Sequence, residues 1–161
     1  MQTFKKDDKL LVFFIITWFL VFLFSVALNI QGKVRRCLVI FLSILWGGIV
    51  LYLTFGTQSG GGSHVNFLLL NVTNKADVID AFLNAVMFFP GGMLLNLMGK
   101  KISYAIIIGA LMSFLIEAMQ FVIAIGRTSD LNDIIFNTLG AALGFLLANK
   151  STQAIKNIRG T

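Results

Sequence analysis

Seven side chains in the last third of the chain carry most of its potential chemistry. Glu117 and Gln120 stand three residues apart, and Ser113 lies one turn before Glu117, so all three share one face of a helix. Arg127 follows, then Asp130, Asp133 and Asn137 at spacings of three and four, which stack on one face once a helix begins. If the segments around Gly126–Asp133 form a helical hairpin, the two polar faces meet. Arg127 then bridges Glu117, Asp130 and Asp133, or leaves them to hold a ligand. Its planar fork suits a phosphate or a carboxylate.

A second polar feature precedes these residues. Asn84 sits inside an apolar run, and Pro90-Gly91-Gly92 follows it. Proline frees a backbone carbonyl and the glycines permit a kink. Such a break is tolerated at membrane depth only against protein or a water cavity. Asn84 and the freed carbonyls are therefore expected to complete one pocket with the later residues. Plainer roles compete with this one. An arginine–carboxylate set can simply lock helices together, Asp133 and Asn137 can cap a helix start, and Asn84 can bond across helices.

Catalytic signatures are missing. There is no G-x-S-x-G elbow, H-E-x-x-H helix or phosphate-binding loop. One histidine, His64 in a glycine-rich stretch, and one cysteine, Cys37, cannot build a Cys/His zinc site. Neither a metal nor a cofactor is expected. The single cysteine also excludes an internal disulfide.

The elements that must position these groups are membrane spans. Of 161 residues, 57% are apolar and 12% charged, and mean hydropathy is +0.87. A soluble domain of this size lacks the interior to bury so much apolar side chain. Continuous apolar runs cover Leu10–Ile30, Cys37–Phe55, Phe82–Met98, Ile102–Ile125 and Ile134–Ala148. Their length and continuity predict helices near the 20-residue spanning length, not barrel strands. The fold class is all-α: a polytopic membrane bundle of about five helices. Residues 1–36 hold an extra N-terminal helix and a basic loop, residues 37–149 the main membrane domain, and residues 150–161 a basic cytoplasmic tail. Leu10–Ile30 is longer than a signal-peptide core and reads as a retained span. Trp46 and Tyr52 are candidate interface anchors. Gly140-x-x-x-Gly144 permits close approach of another helix on the Asp133–Asn137 face.

With the N-terminus outside, eight Lys and Arg residues fall inside (Lys33, Arg35, Arg36, Lys100, Lys101, Lys150, Lys156, Arg159) and five outside (Lys5, Lys6, Lys9, Lys75, Arg127). The positive-inside bias favours that orientation. It places the stretches 56–81 and 126–133 on the external face. The net charge of +6 points to anionic lipid headgroups and not to nucleic acid.

The run Asn84 to Leu95 (NAVMFFPGGMLL), Glu117-x-x-Gln120-Phe121, Gly126-Arg127, Asp130-x-x-Asp133, Asn137-Thr138-x-Gly140 and Gly144 resembles the VanZ-like family in order, gaps and placement. The resemblance covers about residues 40–148, with Leu10–Ile30 standing outside as an addition to a four-helix core. It departs at one place: Asn66 is present, but Leu69 and Leu70 stand where the family has a Pro-Phe pair. The resemblance implies a bacterial plasma-membrane protein of the cell envelope. Through the family's founding member it also implies a link to resistance to the glycopeptide antibiotic teicoplanin. On this reading Asn84, Glu117, Gln120, Arg127, Asp130, Asp133 and Asn137 line an external pocket for an anionic lipid or a lipid-linked cell-wall precursor. Two other readings stay open: an intramembrane enzyme acting on a lipid headgroup, and an accessory subunit that scaffolds an envelope complex.

Overall fold

The computed structural model describes residues 30–55, 65–66, 68–123 and 129–159. The chain order is α1 (Gly32–Phe55), β1 (Val65–Asn66), α2 (Lys75–Leu97), α3 (Ile102–Ile123), β2 (Ser129–Asp130) and α4 (Leu131–Arg159). All four helices are long and apolar enough to cross a bilayer. The expected span Leu10–Ile30, His64 and Arg127 lie outside the described residues, apart from Ile30 itself.

Three helices start earlier or end later than apolar runs alone suggest. α1 takes in the basic stretch from Gly32, α2 begins at Lys75, and α4 continues through the basic tail to Arg159. Polar residues at a helix end cost little once they pass the hydrocarbon, so the helix outlasts the apolar run. The start of α2 is fixed by Asn74, whose side chain accepts from the Ala76 amide at 3.1 Å and donates to Asp77 at 2.8 Å. Its end is a left-handed glycine turn. Gly99 has φ +72°, and the Lys100 and Gly99 amides return to the Leu95 and Asn96 carbonyls at 3.1 and 2.8 Å. That turn sends α3 back antiparallel to α2.

The α2–α4 pair is the most extensive helix contact, and small residues make it. Gly140 faces the backbone of Ala85, Gly144 that of Phe89, and Gly92 that of Ala141 and Phe145. At none of the three is there room for a Cβ. With lipid tails as solvent, such backbone-to-backbone packing is what holds membrane helices together. Gly140 and Gly144 thus face a helix, as their position on α4 implies.

Pro90 lies inside α2 without ending it. Gly91 lies under the Trp46 ring and Gly92 against α4, so this stretch serves helix packing. Trp46, a candidate anchor in the sequence, is engaged inside the bundle. Its ring meets Phe88 edge-on at 5.8 Å and its Nε1 donates to the Met87 carbonyl at 2.9 Å, joining α1 to α2. Tyr52, by contrast, is 72% exposed.

Apolar clusters fill two levels of the bundle, one around Val39, Leu42, Met93 and Leu97, the other around Val50, Phe88, Ile116 and Ala141. Many other large apolar side chains, Ile44, Ile107 and Val122 among them, face outward. Such a surface suits lipid and not water.

β1 and β2 form a two-residue parallel bridge, Val65 opposite Ser129 and Asn66 opposite Asp130. Apolar periodicity gives no sign of it. Its consequence is topological: the α1–α2 and α3–α4 connections meet at one end of the bundle.

Candidate functional site

The polar residues singled out in the sequence gather at that end, between α2, α3 and α4. Asp130 immediately precedes α4. Its Oδ1 accepts from the Asn132 amide at 2.8 Å and from Asn132 Nδ2 at 2.9 Å. This is the N-cap geometry that relieves the unpaired amides of a first helical turn. The cap is therefore Asp130, and not Asp133 or Asn137. The other carboxylate oxygen of Asp130 accepts from Asn66 Nδ2 at 2.9 Å, and Asn66 Oδ1 accepts from the Leu68 amide at 3.0 Å. Asn132 Nδ2 also donates to the Leu68 carbonyl at 2.8 Å. One aspartate thus ties the α1–α2 connection to the start of α4.

Glu117 on α3 is 5% exposed, and its Oε2 accepts from the Asp130 backbone amide at 3.0 Å. A carboxylate buried at this depth needs such donors, because an unpaired charge there is costly. Gln120, one turn on, is 3% exposed on the same face of α3. Asp133, in the first turn of α4, accepts a hydrogen bond from Asn84 Nδ2 of α2. Its charge also complements the positive end of the α4 dipole. One turn deeper, Asn137 Nδ2 donates to Ser113 Oγ at 2.8 Å, both residues being almost fully buried. The Oδ1 of Asn137 is buried without a hydrogen-bond partner.

Of the seven residues named from the sequence, Asn84 is joined to Asp133, Glu117 to Asp130 and Asn137 to Ser113, and Gln120 is buried on the Glu117 face of α3. The seventh, Arg127, lies outside the described residues. Sequence reasoning left Asn132 out, and kept Asn66 and Ser113 outside the proposed site. Asn132 had a local signal, since Asp130-x-Asn132 has the spacing of a side chain that bonds the backbone two residues on. Ser113 was already on the Glu117 face. Among the described residues, no three His, Cys, Asp or Glu side chains converge as a metal site requires.

The family model VanZ/LLP1 matches residues 9–153. This chain belongs to the VanZ/LLP1 family. The match begins at residue 9, so the Leu10–Ile30 run falls within the matched region and not outside it. Protein VanZ of Enterococcus faecium is 37% identical over 84 residues, 50% of this chain and 48% of that protein. The alignment thus spans about half of that relative. No solved structure matches the chain. Family membership and four helices of spanning length together make it an integral membrane protein of the VanZ/LLP1 type.

Proposed function

We propose that the protein acts in the bacterial cell envelope, in glycopeptide resistance of the teicoplanin type, and that the cluster between α2, α3 and α4 is its ligand pocket. The resistance link is supported by the family and by the likeness to Protein VanZ. The pocket opens toward the exterior, in keeping with the Lys and Arg count. Its ligand is a lipid-linked or anionic envelope component, or a drug that targets one. Arg127, three residues before Asp130, donates to the ligand's phosphate or carboxylate. Glu117, Asp130 and Asp133 position that arginine or accept from sugar or peptide groups, and Gln120, Asn84 and Asn137 satisfy the remainder.

The observation that carries this reading is the Asn137 amide. Its Oδ1 lacks a hydrogen bond in a residue only 2% exposed. An unmet buried acceptor costs about 1–3 kcal/mol, and a hydroxyl or amide donor from a ligand removes that cost. The test is teicoplanin tolerance in cells expressing Arg127→Ala and Asp133→Asn at membrane levels equal to wild type. Both variants are expected to lose the tolerance that wild type confers. Full tolerance in both means that the pocket is not the active part.

A further inference from the structure

A trough runs from the middle of the bundle, where Gly109, Met112 and Ala141 line it, toward the end opposite the outer part of the polar cluster. It is bounded by Ser43 and Trp46 of α1, Gly91, Leu95 and Met98 of α2 and Gly109 of α3, with a cavity volume of about 110 Å³. It exists because Gly91 and Gly109 supply no side chain and Ser43 only a short one. The Ser43 hydroxyl is turned onto the Val39 carbonyl at 2.7 Å, which leaves an apolar wall. Along α2 the trough runs from Phe88 to Met98, about 15 Å of helix.

The end of the bundle toward which the trough runs is basic. Arg36 stands seven residues before Ser43 on the same face of α1, and Lys101 lies in the turn just before α3. Lys100 lies 5.4 Å from the Tyr104 ring centre, held in the turn beside Met98. Arg35 donates to the Leu97 carbonyl at 3.4 Å, tying α1 to α2 at the same level. The five described carboxylates, Asp77, Asp80, Glu117, Asp130 and Asp133, all belong to the opposite half of the bundle. Nothing acidic on the described helices competes for these cations.

We propose that this trough binds an anionic phospholipid, its phosphate between Arg36, Lys100 and Lys101 and one acyl chain along α2 against Trp46. An apolar groove open to hydrocarbon takes up a chain and not water. Basic groups where membrane helices meet the surface attract anionic headgroups. The proposal does not depend on the role of the polar cluster.

Trp46 reports on the trough directly. The full chain with Trp18→Phe keeps Trp46 as its single tryptophan. It is placed in phosphatidylcholine nanodiscs with a small fraction of bromine-labelled phosphatidylglycerol or, separately, bromine-labelled phosphatidylcholine. At equal mole fraction the anionic lipid is expected to quench Trp46 about twofold more. Arg36→Gln/Lys100→Gln/Lys101→Gln removes the difference. Ser43→Phe and Leu95→Phe, which fill the trough from different helices, each bring quenching by the anionic lipid down to the phosphatidylcholine level. Unlabelled phosphatidylglycerol reverses the quenching and inorganic phosphate does not. Equal quenching by both lipids in wild type overturns the proposal, as does a preference that survives the triple substitution. Reversal by phosphate makes the basic end a free-anion site and overturns it too. Uniformly weak quenching means that protein fills the trough, either Leu10–Ile30 or a second copy, and equally overturns the lipid assignment.

Discussion

The α2–α4 seam yields the sharpest stability prediction. Gly140 faces the Ala85 backbone, and a Cβ built there falls inside 3.0 Å, a separation that real Cβ atoms do not show. The obstructing atoms belong to a helix backbone and cannot swing aside as a side-chain end does. Gly140→Ala must therefore part the two helices by on the order of 1 Å. A gap of 0.5–1 Å forfeits roughly a quarter to a half of each dispersion contact along the seam. Overpacking by a single carbon costs about 1–3 kcal/mol, and the expected loss lies in that range. Gly144→Ala meets Phe89 in the same way and should cost about as much. Gly47 on α1 is the control, since a Cβ there meets nothing within 4 Å. Gly47→Ala should be neutral or stabilise by up to about 1 kcal/mol, from helix propensity alone. The assay is equilibrium unfolding in mixed micelles as the mole fraction of dodecyl sulfate rises, followed by helical circular dichroism. If Gly140→Ala unfolds at the same midpoint as Gly47→Ala, the account of the seam is wrong.

The same unfolding assay tests three further contacts. Ser113→Ala strands the Asn137 Nδ2 donor and should cost about 1–3 kcal/mol; Ser113→Ala/Asn137→Leu removes both partners and should recover part of that loss. Trp46→Phe gives up the bond to the Met87 carbonyl while keeping an aromatic ring near Phe88, for an expected cost of about 1 kcal/mol; no change would mean that this bond contributes nothing net. Asn74→Ala removes the cap of α2 and should lower stability by about 1 kcal/mol, with Asn74→Asp near wild type; equal losses in both variants would count against capping.

Composition and apolar runs were enough to read an all-α membrane bundle and to locate four of its spans. Helix ends were legible only where a local device marks them. Gly99, with its positive φ, does so, whereas the basic residues from Gly32 to Arg36 and from Lys150 to Arg159 read as loop or tail and are helix. Periodicity reports contact with lipid, and a helix that has left the hydrocarbon no longer displays it. The polar cluster was legible because charge is scarce in this chain, so each buried polar residue marks its own position. Its internal pairing was less so. That Asn84 reaches Asp133 depends on how α2 docks against α4, and that docking is set by Gly92, Gly140 and Gly144. Pro90-Gly91-Gly92 was ambiguous for the same reason. Glycines in a membrane helix suit a kink and a close contact equally well, and only the partner helix decides between them. Asn66 reaches the cluster through a two-residue bridge too short to leave a pattern in the sequence.

The central claim is that one polar cluster on the last three helices faces outside the cell. Its most direct test is the side of the membrane on which the β1–α2 connection lies. Leu69 is 72% exposed beside Asn66 and near Asp130, and Cys37, the single native cysteine, is removed as Cys37→Ser. A membrane-impermeant maleimide added to intact cells expressing Leu69→Cys/Cys37→Ser should label the protein fully. Labelling only after the membrane is opened would put the cluster on the cytoplasmic side and contradict the account.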